Sequence, residues 1–421
     1  MPVPSSPPPS AASSSSPPSA ATLFERITHY ANRADPYPLY AELREHKVAE
    51  QQDGSYLVGT YHEISALLHD PRISSDLRRR AEPDPLVVGP DARTPAFISL
   101  DDPEHERLRS IAMRPFGPPH TPGRIDALRA SITDIARELI ADFGTRDRID
   151  LVDDFAHPLP VTVICRLLGV PHEDVPQIRE WTDTMIAATD PTPGQDVAEQ
   201  RRAAMAARDA MAEYLGALAD GRRGHPADDL LSALVNDHGP EGGLTRTELM
   251  STAVLLLIAG HETTVNLITN GMLTLLRHPE ALSRLRAEPE LVPAAVEELL
   301  RYEPPVHLLP QRTPLVDVEV AGVTVPRGAP LVLALAAGNR DPLRFTDPDR
   351  FDPTRTGNQH LGFGGGIHSC YGAPLARVET QIALTELLRH LAEPSLVADP
   401  PPYRRSPLLR GPRHLVVARR A

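Results

Sequence analysis

HLGFGGGIHSCYGAPLAR, residues 360–377, is the most informative stretch of the chain: a glycine-rich loop that carries Cys370 and then enters a predicted helix. Glycine allows backbone angles that are closed to other residues and lets the chain approach a flat ligand closely. Pro374 suits the first turn of a helix, and a cysteine just before a helix N-terminus feels the positive end of its dipole, which favours the thiolate. Backbone N–H groups nearby can point at the sulfur and tune its electron donation. The loop therefore predicts a reactive thiolate at Cys370.

Two other interpretations of this loop compete with that one. Gly362 and Gly364 begin a dinucleotide-binding pattern, but Ile367 stands where the pattern needs its third glycine, and no suitable strand precedes the loop. A structural cysteine in a tight turn stays open on the loop alone. The other cysteine, Cys165, lies in an apolar run and is predicted to be a buried core residue. Two cysteines cannot build a Cys₄ zinc site or a disulfide framework, and both fit a reducing cytoplasm.

The loop resembles the haem-binding signature of the cytochrome P450 family, soluble bacterial type. The positions that match are Phe363, Gly364, Gly366, His368, Cys370 and Gly372, followed by Leu375 and Ala376. The resemblance implies that the Cys370 thiolate is the axial ligand to the iron of haem b, that Phe363 packs beside the ligand loop, and that His368 contacts a haem propionate. It also implies the family's fold, which is mainly α with a small β-rich subdomain and buries the haem between a long central helix and the cysteine loop.

A second motif interrupts a long apolar helix at residues 257–265, where a glycine, an acid and two threonines stand among aliphatic residues. One interpretation is a kink at which threonine hydroxyls bond back to carbonyls. The functional interpretation is a distorted turn that makes room for O₂. Ala259, Gly260, Glu262 and Thr263 resemble the P450 family's central-helix motif. That resemblance implies that Thr263 and Glu262 are catalytic and deliver protons inward from solvent.

Cationic side chains elsewhere fit a shared anion. His105 and Arg109 lie four residues apart on one predicted helix face, and standing alone they read as solvated helix residues. The resemblance implies that both contact a haem propionate and that Arg312 matches a further propionate ligand. Together with His368 they form a predicted cationic clamp.

A Glu-x-x-Arg motif lies in a strong predicted helix at Glu298 and Arg301. Taken alone, a pair spaced by three residues is an ordinary ion pair of little energetic value. It resembles the family motif that braces the ligand loop together with a downstream arginine. Residues 345–351 resemble the segment that supplies this arginine, and Arg350 is the predicted third partner.

The composition excludes several other classes of protein. The net charge is −13, which makes the chain a poor general nucleic-acid binder. Lys47 is the single lysine and follows His46, so no phosphate-binding Gly-Lys-Ser/Thr loop exists. No run of about 20 apolar residues predicts a membrane span. Residues 1–21 are almost entirely Pro, Ser and Ala and predict a disordered tail, followed by one domain over residues 22–421.

The periodicity of apolar residues predicts a mainly helical domain with few strands. Helices are predicted at residues 124–143, 197–219, 246–277, 279–288, 291–302 and 373–391. Strands are predicted at residues 55–60 and 331–335, with a hairpin around Ala321 and Gly322. Loops are predicted at 81–95 and 191–194.

The resemblance implies a monooxygenase that inserts one atom of O₂ into a small hydrophobic substrate, by hydroxylation or epoxidation. No flavin or iron–sulfur module fits in the chain, so electrons are predicted to come from a ferredoxin and its reductase, which dock on the Cys370 side. Predicted pocket segments are residues 81–98 and 183–205. Further predicted pocket residues are Leu256, Ala259, Leu308, Leu309, Leu408 and Leu409. The alternatives are a peroxygenase or oxidative coupling enzyme on the same fold, and a haem-binding sensor without turnover.

Overall fold

The computed structural model describes residues 22–83, 88–89, 93–117, 121, 123–188 and 196–419. The predicted tail at 1–21 and the predicted loop at 191–194 lie outside the described residues, as do parts of the predicted loop at 81–95.

Helices account for most of the described chain and confirm the prediction of a mainly α fold. They are Leu23–Thr28, Tyr37–His46, Tyr61–His69, Glu104–Phe116, Arg124–Ala127, Arg129–Ala141, Pro158–Leu168, Val175–Ala187, Val197–Arg222, Leu230–Val235, Arg246–Arg277, Pro279–Ala287, Val292–Tyr302, Leu335–Gly338 and Ala373–His390. The helix predicted at 124–143 is divided at Leu128. Pro158–Leu168 was missed because it is short and apolar except for a narrow strip at Thr162 and Arg166, so its helical period is easily overlooked.

The strands are short. They are β1 (Val48–Glu50), β2 (Tyr56–Val58), β3 (Ile73–Ser74), β4 (Arg148–Asp150), β5 (Leu309–Pro314), β6 (Val318–Val320), β7 (Val323–Val325), β8 (Leu331–Leu333), β9 (Ser395–Leu396) and β10 (Val416–Ala418). One sheet has the order β1-β2-β8-β5-β3, a second has the order β4-β10-β9, and β6 pairs with β7. The predicted hairpin turns at Ala321 (φ 52°) and Gly322 (φ 85°), whose positive angles suit a two-residue hairpin loop.

Arg246–Arg277, here called the central helix, has the bounds that the sequence predicts. Thr245 and Glu248 form a capping box at its start, which fixes the first turn. By length and composition this helix could cross a membrane, but 72% of its most apolar 18-residue window is buried inside the protein. The central helix is therefore the core of the helical domain.

The core has one large helical part and two smaller ones. The large cluster surrounds the central helix and includes residues of Ala373–His390, here called the cysteine helix. A second cluster packs around β2, β6 and β8. The cysteine loop, the central helix and β5 of the sheet all contribute residues to one cavity.

Candidate active site

The cysteine loop packs tightly enough that glycine is required in it. Gly366 has a φ of 65°, and a Cβ atom added there would lie 2.0 Å from the carbonyl oxygen of Leu68. The amide of Cys370 donates a hydrogen bond to the carbonyl of Phe363 at 2.9 Å. The loop is thus a closed turn that holds Cys370 at the start of the cysteine helix.

Burial is the largest influence on the Cys370 thiol and raises its pKa. The backbone N–H groups of Gly372 and Ala373 and the guanidinium of Arg109 act in the opposite direction. The sequence predicts these stabilising contributions, but they do not outweigh burial. Cys370 is itself accessible from the cavity that it lines, so a metal ion could reach its sulfur and would supply positive charge to it, since a coordinated thiol is deprotonated outright.

Cys370 and Thr263 line the same cavity, which contains about 1490 Å³ free of protein atoms, part of it open to solvent. The central helix contributes Leu256 and Ala259, and the segment at β5 contributes Leu309. Most of the lining is apolar, as in pockets that take organic ligands.

Predicted clamp residues converge on this cavity. Arg109, Arg312 and His368 line it, and the ring of His105 lies 4.3 Å from that of His368. Burial lowers the pKa of Arg312 to about 10. Burial, followed by the neighbouring His105, Arg312 and Arg109, lowers the pKa of His368 to about 3. Nε2 of His105 and both ring nitrogens of His368 are buried and find no partner within the described part of the chain.

Unpaired buried ring nitrogens beside the buried guanidinium of Arg312 and the half-buried guanidinium of Arg109 suit an anion. The cavity floor is a glycine-rich loop with a sulfur donor, and its edge is this cationic cluster. These residues fit haem b, with Cys370 as the iron ligand and the clamp at the propionates. When bound, that group supplies the redox chemistry of O₂.

The Glu-x-x-Arg pair Glu298 and Arg301, here called the brace, is wholly buried. Glu298 and Arg301 each have 0% exposure and form two hydrogen bonds of 2.8 Å. Arg301 also donates to the carbonyls of Asn339 and Pro348, at 3.0 and 2.7 Å. The helix Val292–Tyr302 is thereby tied to the segment that leads into the cysteine loop.

The prediction that Arg350 is the third partner is wrong for its side chain. That side chain is 65% exposed and pairs with Asp352, and only the carbonyl of Arg350 accepts a bond from Arg301. Arg355, which is 11% exposed, donates to Glu298 at 3.1 Å instead. The loop reverses direction between these two arginines, as the bonds from Arg355 to the carbonyls of Thr346, Asp347 and Arg350 show.

The central-helix motif places Thr263 at the cavity and Glu262 in the interior. The hydroxyl of Thr263 donates to the carbonyl of Ala259 at 2.8 Å, the back-bonded arrangement that a kink interpretation expects. His261 lies on another side of the helix, where Nε2 donates to the carbonyl of His157 at 3.0 Å.

Sequence reasoning missed one acid at the cavity. Glu379 is buried on the cysteine helix and lines the cavity, and burial raises its pKa well above the usual range. It also forms a side-chain hydrogen bond with Thr264. The signal was present in the sequence, because Glu379 shares the apolar helix face of Leu375, Val378 and Ile382.

The predicted pocket residues divide into two groups. Leu256, Ala259 and Leu309 line the cavity, as do Phe97 and Ile98 from the predicted 81–98 segment. Leu308 and Leu408 instead pack into the third, small core cluster, which contains Ile27, Tyr40 and Leu43, and Leu409 forms a β-bridge with Val306. These three residues do not line the cavity, and for Leu308 the reason is that it and its neighbour Leu309 face opposite sides of an extended segment. No described residue of 183–205 lines this cavity.

Comparisons with known proteins agree with this geometry. Residues 91–417 match the family model for cytochrome P450. The chain is 43% identical over 390 residues to the cytochrome P450 monooxygenase PikC of Streptomyces venezuelae, covering 90% of this chain and 89% of that protein. It is 40% identical to the mycinamicin IV hydroxylase/epoxidase of Micromonospora griseorubida, with 86% and 89% covered.

The fold agrees as well. The structure of the bacillaene polyketide synthase cytochrome P450 PksS of Bacillus subtilis superimposes with a TM-score of 0.84 at 33% identity, covering 94% of this chain and 99% of that one. A glycine-lined thiolate loop, a buried Glu–Arg brace and a cationic clamp thus occur in a fold shared over nearly the whole chain. The chain belongs to the cytochrome P450 family and is a haem-thiolate monooxygenase.

Proposed function

We propose that this monooxygenase hydroxylates or epoxidises a hydrophobic substrate of moderate size in bacterial secondary metabolism. The observation that carries the proposal is the cavity wall beside Cys370 and Thr263. Aromatic and aliphatic residues form it: Phe97, Ile98, Pro160, Ile164, Leu255, Leu256 and Leu309. Apolar walls of this kind select for apolar area rather than for charge. The named activities of two relatives, a vitamin D(3) 25-hydroxylase and a mycinamicin IV hydroxylase/epoxidase, support the same substrate class.

A spectral titration tests the substrate class without requiring turnover. Compounds that displace water from the ferric haem shift its Soret band, so the purified holoprotein can be screened against neutral polyketides, terpenoids and aromatics. A matched set of charged analogues serves as the control. The neutral compounds are expected to shift the Soret band at low concentrations. A Soret shift at lower concentrations of the charged analogues would refute the proposed substrate class.

Within that function, Thr263 and Glu262 hold and pass the protons that O–O cleavage consumes. Thr263 supports this role by lining the cavity, and Glu262 by lying buried one position earlier in the same helix. The Thr263 hydroxyl must leave the carbonyl of Ala259 to donate into the cavity. That exchange replaces one hydrogen bond with another of similar strength.

Thr263→Ala is expected to uncouple the reaction, so that most of the NADPH consumed yields hydrogen peroxide rather than product. The positioned proton donor is lost, while the haem site stays intact. Thr269→Ala is the matched control, because Thr269 bonds back to Val265 at 2.9 Å on the same helix and does not line the cavity. The measurement is product and peroxide formed per NADPH. Equal coupling in both variants would remove Thr263 from proton delivery.

The electron donor that we propose is a ferredoxin with its reductase, docking on the Cys370 side in the cytoplasm. Arg109 lies against the cysteine loop, where it donates to the carbonyl of Ser369 at 2.7 Å, and Arg377 follows in the cysteine helix. Glu297 pairs with Arg377 at 2.7 Å and offsets part of its charge. Ile367, which is 51% exposed in the same loop, adds an apolar contact for a partner.

Reduction by an acidic ferredoxin is expected to slow as the ionic strength rises from about 0.05 to about 0.5 M, because salt screens the attraction to these arginines. Stopped-flow reduction of the haem gives the rate. Reduction by a small uncharged reductant is the control and should change little. A ferredoxin rate that is independent of salt would count against electrostatic docking.

A further inference from the structure

His69, at the end of the helix Tyr61–His69, uses both of its ring nitrogens. Nε2 lies 3.1 Å from the amide nitrogen of Gly366, and Nδ1 lies 2.7 Å from the carbonyl oxygen of Ser65. An amide N–H can only donate and a carbonyl can only accept. With a proton on Nδ1, the ring donates to Ser65 and accepts the N–H of the cysteine loop at the Nε2 lone pair.

The contact surrounding this bond is close. A Cβ atom on Gly365 would lie 3.0 Å from Cε1 of His69, and one on Gly366 would lie 2.0 Å from the carbonyl oxygen of Leu68. The loop backbone thus rests directly on the last turn of the helix. A displacement of that turn must displace the loop as well.

The bonded amide stands at the start of the turn that carries the iron ligand. The carbonyl of Gly366 accepts from the amide of Ser369 at 3.1 Å, and the carbonyl of Ser369 accepts from Arg109 at 2.7 Å. The next residue, Cys370, bonds back to Phe363. Gly366 is therefore linked to Cys370 by one hydrogen bond, from the amide of Ser369, and by the peptide bond that follows Ser369.

We propose that His69 is a positioning residue for the haem-thiolate ligand: its Nε2 lone pair fixes Gly366 and so keeps the Cys370 sulfur directed at the iron. The inference requires Cys370 to ligate the iron but is independent of the substrate and the electron donor. We therefore expect a hydrogen-bond acceptor on the side chain of residue 69, and not only the volume of that side chain, to determine the stability of thiolate ligation and the haem reduction potential.

The test compares His69→Leu with His69→Gln in the purified, haem-loaded protein. Glutamine offers an amide oxygen that can accept from Gly366, whereas leucine fills space without an acceptor. His69→Leu is expected to lose the long-wavelength Soret band of its reduced carbonyl complex about fivefold faster than the unmodified protein, the ratio that one net hydrogen bond corresponds to. Its haem reduction potential should also shift, and His69→Gln should restore both properties.

His62→Leu is the matched control, because His62 is an exposed histidine of the same helix whose ring contacts Tyr61. Equal behaviour of His69→Leu and His62→Leu would overturn the proposal. Equal loss in His69→Gln and His69→Leu would also overturn it, since the effect would then be one of packing. Failure of His69→Leu alone to retain haem would support it. None of these readouts requires substrate turnover, so they are separate from the tests of the proposed function.

Discussion

Replacing Cys370 with alanine is expected to abolish the long-wavelength Soret band of the reduced carbonyl complex and all oxygen insertion. Alanine offers no ligand, and the electron donation of a thiolate to the iron is lost with it. Cys165 cannot take over, because it is fully buried in the helix Pro158–Leu168, where burial raises its pKa to about 12. The measurement is the absorbance spectrum of the dithionite-reduced, carbonyl-bound protein.

Cys165→Ala is the control for that experiment and should keep the band at full intensity. The substitution removes only the sulfur atom from a packed core, so the free energy of unfolding should change little. If Cys370→Ala kept the long-wavelength band, or Cys165→Ala lost it, the assignment of the iron ligand would be wrong.

The second large effect is expected at the buried brace. Glu298→Ala leaves the guanidinium of Arg301, which has 0% exposure, and that of Arg355 without their carboxylate. Removing one partner of a buried ion pair costs about 3–5 kcal/mol, because the remaining charge stays desolvated. The free energy of unfolding in urea should fall by that amount, and the variant should be isolated with little haem.

Two arginine variants separate the correct third partner from the predicted one. Arg355→Ala should destabilise the protein clearly, since it removes a bond to Glu298 and three bonds to loop carbonyls. Arg350→Ala should change the free energy of unfolding by less than about 1 kcal/mol, as expected for an exposed pair. The reverse order of these two effects would contradict the brace described above.

Local signals predicted the fold where one segment determines its own structure. The central helix has a long apolar pattern and a capping box, and its bounds follow from the sequence. The strands do not carry such signals. β3 has two residues, and it is a strand because Ser74 pairs with Thr313, far away in the sequence. Pairings of that kind depend on the assembled domain.

The same division holds for the active site. Cys370 and Thr263 belong to short motifs, so the sequence alone identifies them as candidates. Arg350 and Arg355 lie five residues apart in one loop, and only the path of the backbone decides which side chain reaches Glu298. Adjacent leucines at 308 and 309 present the same problem, because the sequence does not say which of the two faces inward.

The source of the inserted oxygen atom decides whether this protein is a monooxygenase. The protein should be supplied with ferredoxin, reductase, NADPH, isotopically labelled O₂ and a substrate from the spectral screen. We expect one labelled oxygen atom in each product molecule and O₂ uptake that requires substrate. Product formed only with hydrogen peroxide, product without new oxygen, or no substrate-dependent O₂ uptake would contradict it, and would indicate a peroxygenase, a coupling enzyme or a sensor respectively.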